Sequence, residues 1–136
     1  MKNKISLFVL GALILLASSW LPTTNTAAGD EKGMIKITIL YPNGEGKTFD
    51  MDYYANNHMP MVAELMGDAM KGFAIDKGIA GRTPEDAIPY LAIGYLYFDS
   101  LEAYGQAFDP VAEQILNDIP NYTNIQPVVQ VSEVLK

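Results

Sequence analysis

The sequence predicts an α+β fold with the element order β-α-β-β-α-β. Three observations carry this reading. Residues 35–41 and 90–98 are rich in β-branched and aromatic side chains, as strands require. Two intervening stretches place apolar residues at helical spacing, each behind a capping residue, Asp50 or Ser100. Clusters of Gly, Pro and Asn at 42–46, 78–84 and 120–124 punctuate the elements.

The chain has 136 residues, and its first segment is not part of that order. Lys2 and Lys4 precede the apolar run 5–17, and small polar residues follow it up to Gly29. A basic start, a short apolar stretch and small residues near Ala28 describe a secretory signal peptide, residues 1–28. The run is shorter than the roughly 20 residues of a membrane-spanning helix, so no stable membrane insertion is expected after cleavage. Residues 29–33 form a polar linker, and residues 34–136 the domain. The mature protein is expected in the periplasm or outside the cell.

Residues 35–41 (IKITILY) alternate and read as the first strand. A loop with Pro42, Gly44 and Gly46 follows. Asp50 caps the first helix, with Phe49 and Tyr54 placed as a hydrophobic staple. Met51, Tyr54, His58, Val62 and Leu65 share one face of that helix. Pro60 cannot donate to the Asn56 carbonyl, so a kink or break is expected near His58. Gly67 closes the helix. Residues 70–77 make a second, weaker strand. Residues 90–98 (YLAIGYLYF) make the strongest strand, and neither of its faces is polar. Ser100 then caps a helix whose stripe is Leu101, Tyr104, Phe108, Ala112, Ile115 and Ile119, with a kink expected at Asp109-Pro110. Residues 120–124 turn the chain into a last strand, 128–134.

With right-handed crossovers, this order gives a ferredoxin-like, four-stranded antiparallel sheet with both helices on one face. The other face of the third strand (Leu91, Ile93, Tyr95 and Tyr97) would then lie open. An exposed apolar patch signals an interaction surface, and the simplest cover is a second copy of the chain.

Composition narrows the partners. From Gly29 onward there are 7 Lys and Arg against 16 Asp and Glu, a net charge near −9. Such a domain repels phosphate backbones, so nucleic acid is not an expected partner. No cysteine is present, so no disulfide contributes even after export. About 108 of the 136 residues remain after the signal segment, enough for one domain with one core.

His58 is the only histidine. Imidazole is the usual side chain that titrates near neutral pH, and this one stands among tyrosines on the apolar side of a helix. It can serve as a general acid or base, with Tyr54 one turn away and Asn57 adjacent. The alternative is a core histidine that bonds backbone freed by Pro60. Tyr41, Tyr53, Tyr54, Tyr90, Tyr95 and Tyr97 can line an aromatic pocket whose hydroxyls orient a carbonyl or phenol, or can simply pack. A lone histidine without a His or Cys partner cannot fill a zinc site, so no metal is expected.

From residue 34 to residue 134 the chain resembles the ethyl tert-butyl ether degradation (EthD) family of the dimeric α/β-barrel superfamily. The matching residues are Ile35-Lys36-Ile37 with Leu40-Tyr41-Pro42, then Phe49-Asp50-Met51-Asp52-Tyr53-Tyr54 with His58-Met59-Pro60. Further on they are Gly72, Pro89-Tyr90, Phe98-Asp99-Ser100, Asp118-Ile119-Pro120-Asn121-Tyr122-Thr123 and Gln126-Pro127. The resemblance implies a ferredoxin-like domain pairing into a dimeric α/β barrel. Relatives in the wider superfamily include lactone isomerases, cofactor-free monooxygenases, polyketide cyclases and haem proteins. The resulting expectation is an exported homodimer that transforms a small apolar carbonyl, lactone or phenolic compound. The chemistry would be cofactor-independent acid–base chemistry of isomerase or oxidoreductase type. His58 and Tyr54 are the candidate catalytic residues, and Tyr53, Asn57, Tyr41 and Tyr90 the candidate substrate-binding residues. The alternatives are a non-catalytic small-molecule carrier and haem binding through His58.

Overall fold

A computed structural model of the chain describes residues 31–136. The expected signal peptide, residues 1–28, lies outside the described residues. Four strands form one sheet: β1 (Ile35–Pro42), β2 (Met70–Lys77), β3 (Tyr90–Phe98) and β4 (Val128–Glu133). The order across the sheet is β2-β3-β1-β4, and every neighbouring pair is antiparallel. The two strands with the strongest β-forming residues, β1 and β3, therefore lie at the centre. Their register pairs Ile37 with Leu96 and Ile39 with Gly94. This places Ile37, Ala92, Leu96 and Phe98 on one face, where all four are buried.

The helices cover that face. The first helical segment is α1 (Met51–Tyr53), which runs through a π-helical turn (Tyr54–His58) into α2 (Met59–Met66). Asp50 caps its start, its side chain accepting from the Tyr53 N–H at 2.9 Å. Phe49 and Tyr54 make the expected staple, with ring centroids 5.1 Å apart. Gly67 ends the segment at a φ of +56°, a conformation that favours glycine. The second helical segment is α3 (Leu101–Phe108) and α4 (Ala112–Asp118), broken at Asp109-Pro110 as the proline requires. Ser100 caps α3 through the Ala103 N–H at 3.1 Å.

The π turn changes which residues face inward. A regular helix would bury Met51 and Leu65 with Tyr54, His58 and Val62. The π turn adds a residue to the turn before Pro60. From there the buried positions are Met59, Val62 and Met66, while Leu65 is only half-buried.

One expectation is overturned. The sheet does not close into a barrel: it is open, with β2 and β4 as its two edges. The physical reason is strand number. Closure needs strands enough, at a consistent tilt and stagger, for the two edges to meet, and four strands leave β2 and β4 apart. The open face is also less apolar than β3 alone suggested. Its neighbours across the register are Lys36, Thr38, Gln130 and Ser132, with Leu40 and Val128 keeping the end beside Ile93 apolar. The Lys36 ammonium lies over the Tyr95 ring, 4.6 Å from its centroid, and 5.4 Å from that of Tyr97. Tyr97 is buried, while Leu91, Ile93 and Tyr95 are half-buried.

Candidate functional site

The π turn is the local device that builds the site. Pro60 lacks an N–H and its ring crowds the carbonyl four residues back. The chain widens there, and the Met59 N–H bonds the Tyr54 carbonyl instead. Such turns occur often at functional positions. Here the turn holds Tyr54 and His58 one above the other, with rings nearly parallel at 16° and centroids 5.5 Å apart.

The partner of His58 comes from the far end of α4. His58 Nδ1 lies 2.8 Å from Asp118 Oδ2. The other carboxylate oxygen accepts from the Tyr53 hydroxyl at 2.9 Å and from Asn121 Nδ2 at 2.8 Å. Asp118 is thus held from both sides. Because a carboxylate only accepts, Nδ1 carries the proton in neutral His58 and Nε2 keeps a free lone pair. Tyr122 stands 3.4 Å from Nε2 through its hydroxyl, which also lies 2.8 Å from the Tyr41 hydroxyl. The short 3₁₀ turn Ile119–Asn121 presents Tyr122 inward. The Asp50 N–H donates to the Tyr122 carbonyl at 2.7 Å and ties that turn to the start of α1.

His58, Tyr41, Tyr104 and Tyr122 are among the residues that line a mostly apolar cavity of about 90 Å³. Its walls include Ile37, Val62, Leu96, Phe108 and Ile115. Leu116 and Val129, both about half exposed, mark its mouth between α4 and β4. No Lys or Arg lines it, so an anion would find no counter-charge. The space is several times the roughly 10–15 Å³ that one water needs. It is well below the roughly 300–1,000 Å³ usual for drug-sized ligands. The space is smaller than a porphyrin. Among the described residues, no group of three or more His, Cys, Asp or Glu side chains could hold a metal ion.

Burial holds the His58 imidazole below its ordinary value, although Asp118 opposes the shift. The ring is therefore neutral at pH 7, ready to accept a proton. Burial alone would raise Asp118, but hydrogen bonds from His58, Asn121 and Tyr53 outweigh it and hold the carboxyl below its usual range. Burial, and then the neighbouring hydroxyl, push Tyr41 and Tyr54 far above the usual phenol range. Burial is also the main cause of the rise at Tyr122. All three remain protonated across ordinary pH.

The residues singled out from sequence fall into three groups. His58 and Tyr41 line the cavity. Tyr53 stands behind it on Asp118, and Tyr54 stacks on His58 with its hydroxyl turned towards Gly94 of β3. That hydroxyl is buried and, among the described residues, is the buried side-chain polar atom without a hydrogen-bond partner. Asn57 is exposed, and Tyr90 lies apart, in a surface groove with Lys77, Ile79 and Ile88. Sequence reasoning did not single out Asp118, Asn121 or Tyr122. All three sit in the Asp118-Ile119-Pro120-Asn121-Tyr122-Thr123 stretch that carries part of the family resemblance, but that stretch reads locally only as a helix end and turn.

Fold and site together define a small α+β domain whose helices and sheet enclose a mostly apolar cavity, with the histidine of a His–Asp pair in its wall. The EthD domain model matches residues 43–126. An EthD-like protein from Ralstonia eutropha JMP134 is 40% identical, with a TM-score of 0.73, over 78% of this chain and 96% of that one. An EthD family protein from Bacillus halodurans C-125 shares the fold at 16% identity and a TM-score of 0.52, over 74% of this chain and 97% of that one. No curated protein gives a significant match. The chain belongs to the EthD family.

Proposed function

We propose that this EthD-family chain binds a small, neutral, mostly apolar compound bearing one oxygen function and moves a proton on it through His58. A carbonyl compound or lactone fits as substrate, and a phenol fits as an analogue of its enol. The observation that carries this reading is the two-sided setting of His58, a residue of the cavity wall: Nδ1 is held by Asp118 at 2.8 Å, while Nε2 has only the long 3.4 Å contact with the Tyr122 hydroxyl. In the step itself, the carbon–hydrogen bond beside the carbonyl breaks. The proton goes to Nε2 and the electron pair to the carbonyl oxygen. Where a β,γ double bond lets the enolate spread over it, returning the proton to the γ carbon moves the double bond and completes an isomerisation within the protein's own groups.

The experiment does not require the natural substrate. A panel of small ketones and lactones is incubated with the protein in heavy water, and deuterium entering beside the carbonyl is followed by NMR. A positioned acid–base group contributes roughly 10²–10⁴-fold, so wild type should exceed His58→Ala by that order. Compounds that bind wild type without any exchange above His58→Ala would leave the cavity as a carrier site.

We further propose that the mature protein is an exported homodimer, with the signal segment removed near Ala28. The support for pairing is the open sheet face, where Leu40, Ile93 and Val128 lie side by side in register and Val128 is 54% exposed. Intact mass of protein from the native host tests the cleavage. No described helix is long and apolar enough to cross a membrane.

A further inference from the structure

We propose that Tyr122, backed by Tyr41, is the group that receives the substrate's oxygen: its hydroxyl donates to the charge that develops there as His58 takes the proton. This rests on the proton-transfer reading of the same site and adds residues that reading does not need.

The geometry assigns the direction of the hydroxyl protons. Neutral His58 carries its proton on Nδ1, against Asp118 at 2.8 Å, so Nε2 can only accept. The Tyr122 hydroxyl therefore points its proton at Nε2, 3.4 Å away. Its oxygen is left to accept from the Tyr41 hydroxyl at 2.8 Å. The order is Tyr41 to Tyr122 to Nε2. The last link is the long one, well beyond the usual 2.7–3.2 Å. A ligand oxygen entering the cavity can take the Tyr122 proton at little cost and free Nε2 for its own task.

Chain polarity then strengthens the donor. A hydroxyl that already accepts a hydrogen bond donates a better one, more so where the surroundings are apolar. Of the polar side chains that line the cavity, Tyr41, Tyr122 and His58 are joined to one another by hydrogen bonds, while Tyr104 stands between Phe98 and Phe108. Donors aimed at developing charge in a dry site often do more than any other group to speed such reactions. Their burial keeps both phenols protonated, so they stay donors throughout the pH range in which His58 is neutral.

The test uses para-substituted phenols of graded acidity as mimics of the enol oxygen, with matched benzenes that lack the hydroxyl. Affinities are measured by calorimetry for wild type, Tyr122→Phe and Tyr41→Phe. Tyr122→Phe should weaken phenol binding by about 10-fold, the loss expected of one hydrogen bond in an apolar site. It should leave the benzenes unchanged, and Tyr41→Phe should give a smaller loss of the same kind. In wild type the more acidic phenols should bind more tightly, and this trend should flatten in Tyr122→Phe. Unchanged phenol affinity in Tyr122→Phe, with benzene binding showing an intact cavity, would overturn the inference. Equal loss for phenols and benzenes would overturn it as well, since it would show damaged packing. Deuterium exchange separates the two proposals. Exchange that needs His58 but not Tyr122 overturns this inference alone. Phenol binding that needs Tyr122, without any exchange in wild type, overturns the proton-transfer reading and leaves Tyr122 only as the group that receives the ligand's oxygen.

Discussion

Replacing Asp118 with alanine removes the acceptor for three hydrogen bonds, and the three losses are unequal. Asn121 is exposed and Tyr53 half-buried, so water can replace the carboxylate for both. His58 is 4% exposed, and its Nδ1–H loses a 2.8 Å partner inside the protein. A buried donor left without its charged partner costs about 1.5–3 kcal/mol. A small gain opposes this. Asp118 is the last residue of α4, where a negative charge meets the negative end of the helix, an arrangement worth about 0.3–1 kcal/mol. The net loss is about 1–2 kcal/mol, which lowers the melting temperature of a domain this size by roughly 5–15 °C. Asp118→Asn keeps an acceptor and should lose less, while Tyr53→Phe should melt close to wild type. The second readout is the tautomer. His58 is the only histidine, so nitrogen NMR of untagged protein reports it without ambiguity. Wild type should show the proton on Nδ1, and Asp118→Ala should admit the Nε2–H form. An Asp118→Ala protein as stable as Tyr53→Phe, with the proton still confined to Nδ1, would refute the claim that this carboxylate orients the ring.

The same structure sets further outcomes. A Cβ at Gly94 would overlap the Tyr54 hydroxyl, so Gly94→Ala should destabilise by about 1–3 kcal/mol in thermal melting, and Gly94→Ala with Tyr54→Phe should recover part of it. Folding holds His58 below its ordinary 6.5, so its contribution is complete above that value and is lost as pH falls through it; the stability advantage of wild type over His58→Gln should shrink from pH 7 to 5. The buried Tyr41, Tyr54 and Tyr122 are raised above 10.0, so stability should also fall as pH climbs past 10, and Tyr41→Phe should reduce that alkaline loss. Light scattering at micromolar concentration should give about twice the mature mass, and Ile93→Glu should lower it to one; a wild-type monomer would show that the open sheet face is stable without a partner.

Much of the fold was legible because its signals are local. Alternating β-branched residues in β1, the caps at Asp50 and Ser100, and the prolines at 60 and 110 each act on their own neighbours in the chain. Strand order follows from chain connectivity and the handedness of crossovers. The importance of His58 was legible as well, since a single titratable ring beside a helix-disturbing proline stands out by itself. What the sequence could not supply was its partner. Asp118 is 60 positions from His58 and Tyr122 is 64, and each reads locally as a helix-end acid or a turn aromatic. Only when α4 and its 3₁₀ turn pack beside the π turn do the carboxylate and hydroxyls meet the imidazole. Tertiary structure likewise turned the Tyr54 hydroxyl towards Gly94, set Tyr90 apart from the cavity and left the sheet open at β2 and β4. The division is physical: local pattern governs which elements form, while a site assembled from distant segments depends on how those elements pack.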